Sequence, residues 1–105
     1  MSDTYKEHAK SVDQRVGALA KASPKVMGAY GQLVQAAMAD GALDTKTKEL
    51  MALAISVALR CEDCIAYHAR AAVKHGATED EVLESLGVAV ELGGGPSVAS
   101  NARAL

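Results

Sequence analysis

The chain has 105 residues, 21 of them alanine, with no Phe or Trp and three Tyr, and a formal net charge of −2 at pH 7. This length predicts one domain spanning residues 1–105, and because small apolar side chains bury little area each, self-association is expected to add burial that one protomer lacks. No run of five or six like charges occurs, which argues against a nucleic-acid partner, and the polar stretch Met1 to Lys10 lacks the apolar core of a secretory signal, so a cytoplasmic protein with no membrane association is expected.

Apolar residues recur at helical spacing and no stretch alternates with period two, which predicts an all-α fold. Val12, Val16 and Leu19 form a stripe on a first helix, and Ser23-Pro24 reads as the N-cap and first turn of a second that ends near Asp40-Gly41. Leu43-Asp44-Thr45 starts a third helix, with Asp44 or Thr45 as its cap. From Leu50 to Leu59 this helix is apolar all round except for Ser56. The run is too short to span a bilayer, so it is expected to be a buried central helix of the domain or of an oligomer. Cys61 to His75 forms a fourth helix with Ile65, Ala69, Ala72 and Val73 on one face, and Gly76 stands where a left-handed C-terminal residue is needed. Thr78-Glu79-Asp80-Glu81 is a capping box for a fifth helix carrying Val82, Leu83, Leu86 and Val90. Gly93-Gly94-Gly95-Pro96 then breaks the chain before a short last helix, for a bundle of about six.

The two cysteines of the chain sit as Cys61-Glu62-Asp63-Cys64. Cytoplasmic thiols are held reduced, so such a pair suits redox work or metal binding better than a permanent structural link. Residues three apart share a helix face, which lets the two sulfurs approach disulfide distance, and a helix N-terminus favours the thiolate. Glu62 and Asp63 oppose that effect by repulsion. His68 follows Cys64 by four residues and is placed to take a thiol proton, while Glu49, on the preceding apolar helix, would orient His68 or relay its proton if the two helices pack antiparallel. Taken alone, His68 reads as an ordinary packed or surface histidine and Glu49 as a first-turn acid facing the helix dipole.

Cys61, Cys64, His68 and His75 invite a zinc reading, but on one helix Cys61 and His75 lie roughly 21 Å apart along the axis, so no metal is expected within one chain. His8 and His75 are assigned no role, and Tyr67 reads as packing or interface material. The Gly93-Gly94-Gly95 run has no preceding strand and no following Lys-Ser or Lys-Thr, so it is a helix break and not a phosphate loop.

The succession of Glu49, eleven residues, Cys61-x-x-Cys64, three residues and His68 resembles the AhpD-like branch of the carboxymuconolactone decarboxylase family. The resemblance covers most of the chain, including the apolar helix before Cys61, the Gly76-Ala77-Thr78 turn and the break at Gly93. It implies an all-helical fold assembled as homotrimers or homohexamers, and alkyl hydroperoxide reductase activity that cycles through a Cys61–Cys64 disulfide with His68 and Glu49 as proton relay. It further implies a hydroperoxide or disulfide substrate, a dihydrolipoyl or thioredoxin-like reductant, and no cofactor. Asp63 stands where some peroxidases of the family carry a histidine, and the chain resembles the short, single-module members. Cys64 is nearest the candidate base and Cys61 nearest the helix start, so the attacking sulfur stays open. Two other readings compete: a cofactor-free carboxymuconolactone decarboxylase-type enzyme, whose chemistry needs no CxxC pair, and a non-catalytic helical oligomer with the disulfide as a redox switch.

Overall fold

The computed structural model describes residues 3–93, with side chains from Lys6 onward, and among these residues every regular element is a helix. In chain order they are α1 (Asp3–Ala22), α2 (Pro24–Met38), α3 (Thr45–Leu59), α4 (Glu62–Lys74) and α5 (Glu79–Gly93). The all-α expectation holds with five helices among the described residues. The short last helix expected after Pro96 lies outside them, as does most of the glycine break.

Local chemistry sets the helix ends. Pro24 occupies the first turn of α2, where its missing N–H has no helical partner to lose. Ser23 makes no side-chain cap bond, contrary to expectation: its N–H reaches the Leu19 carbonyl at 2.8 Å and its carbonyl accepts the Met27 N–H at 3.0 Å, so the backbone carries α1 almost directly into α2. Asp44 is the cap of α3, its carboxylate accepting the Thr47 N–H at 2.8 Å. The capping box of α5 is complete, with the Thr78 N–H on Glu81 Oε1 at 2.9 Å and the Glu81 N–H on Thr78 Oγ1 at 3.1 Å. After α4, Gly76 adopts φ 93°, its N–H bonds the Val73 carbonyl at 3.0 Å, and the Ala77 N–H bonds the Ala72 carbonyl at 2.9 Å. That is the double closure of a Schellman motif, and at φ 93° a Cβ at Gly76 would strain the backbone.

α3 packs on both α4 and α5, while α1 packs on α4 and α2. Leu53 and Val57 of α3, Ile65, Ala66, Ala69 and Ala72 of α4, and Val82, Leu86 and Ala89 of α5 form the core, joined by Ala9 and Ala77. More than half of these core residues are alanine, so the helices approach closely but each contact buries little area.

Two expectations about burial, the α1 stripe and the place of Val73 on α4, need correction, and the burial expected of α3, in the domain or in an oligomer, is met within one protomer on one face only. α3 is not buried all round: Glu49, Leu53, Ser56 and Val57 are, whereas Met51, Ile55 and Leu59 are exposed, Leu59 by 73%. Among the described residues its neighbours cover one side of α3 and leave the other open. On α1 only Val12 of the expected stripe is buried, with Val16 and Leu19 about half exposed; on α4, Val73 faces outward and Ala66 takes its place in the buried face. α2, which meets α1 and α3, buries none of its residues.

Candidate active site

Arg60 and Cys61 alone connect α3 to α4. Arg60 lies in the left-handed region at φ 59°, its N–H bonds the Val57 carbonyl at 3.0 Å, and the Cys61 N–H bonds the Ser56 carbonyl at 3.0 Å. This is a second Schellman closure, formed without glycine at a cost of roughly 1–2 kcal/mol for the arginine backbone. It ties the Cys61 backbone to the end of α3. The Cys61 side chain meanwhile opens α4, with Sγ accepting the Cys64 N–H at 3.2 Å in the place a serine or aspartate cap would occupy. Cys61 and Cys64 are joined as a disulfide with Cα atoms 5.2 Å apart, and both residues are half-buried.

Ser56, the polar residue of the apolar stretch, is buried and donates its hydroxyl to the Ala52 carbonyl at 2.7 Å. Seven residues earlier on α3, Glu49 is 5% exposed, and its Oε2 lies 3.1 Å from Nδ1 of His68 on α4. A neutral imidazole that donates Nδ1–H to a carboxylate carries its lone pair on Nε2, which is the form able to accept a proton. Tyr67 stands edge-on to the His68 ring, centroids 5.1 Å apart, with the Arg70 guanidinium 5.6 Å from the Tyr67 ring centre. Glu49, Cys61, Cys64 and His68 therefore lie along one packed pair of helices, with His68 one turn beyond Cys64.

Sequence reasoning missed His8 and Arg15. His8 Nε2 contacts Asp63 Oδ1, while Arg15 donates through Nη1 to Oδ2 at 2.9 Å and through Nη2 to Oδ1 at 3.3 Å. The Arg15 hydrogen bonds, followed by that of His8, hold the Asp63 carboxyl below the usual carboxylate range. Further along α4, Arg70 clasps Asp13 through two bonds of 2.7 and 2.8 Å, which lowers the Asp13 carboxyl likewise. These partners stand 48 to 57 residues apart, where no spacing rule operates.

An open cleft of about 660 Å³ runs beside the site, lined among others by Asp13, Thr45, Glu49, Tyr67, Arg70 and Lys74. Glu49 belongs to its wall; the cysteines and His68 do not. Among the described residues, no group of three or more His, Cys, Asp or Glu is arranged to hold a metal ion, and no helix is long and apolar enough to cross a membrane.

The model of the carboxymuconolactone decarboxylase family matches residues 24–105. The chain belongs to that family. A carboxymuconolactone decarboxylase family protein of Legionella pneumophila, solved in its apo form, is 45% identical and superimposes with a TM-score of 0.92 over 98% of this chain and 92% of that one. A family protein of Thermotoga maritima, described in connection with an antioxidative response, is 42% identical with a TM-score of 0.69 over 73% of this chain and 79% of its own. An uncharacterised protein of Cupriavidus necator is 35% identical over all 105 residues and 93% of its own length. The family takes in both decarboxylases and AhpD-type peroxidases. Its match here begins just after α1, so the helix that carries His8 and Arg15 precedes the matched segment.

Proposed function

We propose that this chain is a thiol-disulfide oxidoreductase that reduces alkyl hydroperoxides, with Cys61 and Cys64 as the redox pair and His68 and Glu49 as the proton relay. The observation that carries the reading is the His68–Glu49 contact across α3 and α4, one turn from a CxxC pair that closes as a disulfide. A decarboxylase has no use for vicinal sulfurs at a helix start, whereas a thiol peroxidase needs both.

In the reduced protein one thiol gives its proton to Nε2 of His68, and the imidazolium is held by the Glu49 carboxylate. The thiolate attacks the terminal peroxide oxygen; the O–O bond breaks, the alkoxide takes the proton from His68 and leaves as alcohol, and the cysteine becomes a sulfenic acid. The second thiol attacks that sulfur, water leaves, and the Cys61–Cys64 disulfide forms. A dithiol of the dihydrolipoyl or thioredoxin-like class then exchanges with the disulfide and takes its oxidising equivalents, restoring both thiols. Glu49 lies between His68 and the cleft, which offers its proton a way to solvent. No cofactor enters the cycle.

The description of the Thermotoga maritima relative in connection with an antioxidative response agrees with this chemistry. The domain is taken as residues 1–105, acting in the cytoplasm as a homotrimer or homohexamer, without nucleic acid or membrane. The test is consumption of an alkyl hydroperoxide by purified protein with dihydrolipoamide or reduced thioredoxin as electron source. Turnover that stops in Cys61→Ser and in Cys64→Ser is expected. No consumption with either donor, while two thiols still oxidise reversibly, would favour the redox-switch reading.

A further inference from the structure

The acid inside the CxxC motif is neutralised from another helix. We propose that α1 sets the reactivity of the cysteine pair, with Arg15 and His8 acting as positioning residues that cancel the charge of Asp63 beside the thiols; this rests on the thiol-redox reading of the site.

Asp63 immediately precedes Cys64, and an uncompensated carboxylate there would repel a forming thiolate and raise the pH at which it appears. Arg15 meets both carboxylate oxygens, and His8 adds a second donor on Oδ1. The depressed Asp63 carboxyl agrees with this pairing. Both partners sit on α1, which precedes the segment matched by the family model. Among its described side chains α1 buries only Ala9 and Val12 of its apolar residues, while Val16 and Leu19 lie open, which gives it a thin share of the core. Three of its residues make ionic contacts with α4: Asp13 with Arg70, and Arg15 and His8 with Asp63 at the start of that helix. The helix that carries the redox motif thus receives its charge balance from outside.

Several charges bear on the pair. α4 contributes Glu62, Asp63 and His68, the connection contributes Arg60, α3 contributes Glu49 through His68, and α1 contributes His8 and Arg15. Within this set Arg15 is cationic throughout the working range. Arg15 therefore supplies the charge compensation, and His8 adds a second contact on the same carboxylate.

The test uses the full, reduced chain and reads the alkylation rate of its thiols against pH. Arg15→Gln should move the profile to higher pH and slow alkylation at pH 7 by roughly 3–10-fold, the change in thiolate fraction for a shift of up to about one pH unit. Arg15→Lys should recover much of the loss. Asp63→Asn should move the profile the other way, and in that background Arg15→Gln should change little. His8→Gln, which alters only the second contact on Oδ1, should slow the reaction less than Arg15→Gln does. Equal slowing by Arg15→Gln with and without Asp63 would overturn the assignment, because it would mark Arg15 as a structural prop; so would an unmoved profile in a folded variant. The two readings fail separately. Hydroperoxide turnover in the wild type with an unmoved Arg15→Gln profile refutes the role of α1 alone, and a shifted profile without turnover refutes the peroxidase reading alone.

Discussion

His68 on α4 reaches Glu49 on α3 through Nδ1, 3.1 Å from Oε2, across a separation of 19 residues. The carboxylate is buried while the imidazole keeps a quarter of its side chain exposed, so Glu49 is the fixed member of the pair and His68 the member that can meet a thiol. A buried carboxylate is retained where a partner stabilises its charge, and here that partner stands one turn from Cys64.

His68→Gln should therefore cost rate far more than stability. Glutamine keeps a hydrogen-bonding side chain toward Glu49 but accepts no proton near neutrality, so thiol reactivity at pH 7 is expected to fall by roughly 10²-fold. The loss should shrink as pH rises past the ordinary thiol value near ~8.5, where thiolate forms unaided. Glu49→Gln should give a weaker version of the same profile. In single-cysteine proteins the His68 effect should be large when Cys64 is the remaining thiol and small when it is Cys61, whose sulfur is served by the helix N–H. Alkylation rates over a pH series, with thermal melts alongside, check this; unchanged rates in His68→Gln would leave helix-terminus activation as the sole source of reactivity.

The parts of the site that obey local rules were legible in the sequence. The closeness of Cys61 and Cys64, the Asp44 cap, the Thr78–Glu81 box and the glycine at 76 depend on neighbours within a turn or two, and each is found, with Cys61 as the N-cap of α4 and not within its first turn. Arg60 was invisible as a helix stop because an arginine in the left-handed region leaves no compositional mark. The Asp63 clasp was invisible because His8 and Arg15 reach it only after α1 has folded across α4. How much of α3 is covered within one protomer was not legible for a related reason: an apolar helix does not say whether its second face meets its own chain or another.

Acid should loosen the clasp before it melts the core. Asp13, Asp44, Asp63 and Glu81 all have carboxyls held below their ordinary values by hydrogen bonds from Arg70, Thr47, Arg15 with His8, and Lys46 with Thr78. A group whose folded value is depressed contributes stability above its unfolded value and loses it as pH falls through the folded one. The melting temperature is thus expected to be nearly flat from pH 7 to 5 and to drop below about pH 4. Asp44→Ala should lower it at pH 7 on the order of 5 °C and flatten part of that acid slope. Circular dichroism melts give the slope, and amide exchange in α1 at about pH 3 should show that helix releasing first, since two of the four carboxylates hold it. An acid slope identical in Asp63→Asn, Asp13→Asn and the wild type would refute this.

Self-association follows from where the apolar side chains point. Val26, Tyr30 and Leu33 recur at one helical face of α2, and Met51, Ile55 and Leu59 at one face of α3; all six are exposed, Val26 and Leu33 by about two-thirds. Val88 and Leu92, four residues apart, add a further open pair on α5. Contiguous exposed rows of this size on so small a protomer mark an interaction surface, and burying one leucine or isoleucine contributes about 1.5–3 kcal/mol. Light scattering at micromolar concentration should give three or six times the 10.8 kDa of one chain. Placing a charge in the middle of a row, as in Ile55→Glu or Leu33→Glu, should weaken assembly by tenfold or more, because the carboxylate would have to be buried without a partner. The two variants also separate the surfaces: if Ile55→Glu dissociates the oligomer and Leu33→Glu does not, α3 makes the contact and α2 remains open. A wild-type protein that stays monomeric at these concentrations would refute self-association through these rows.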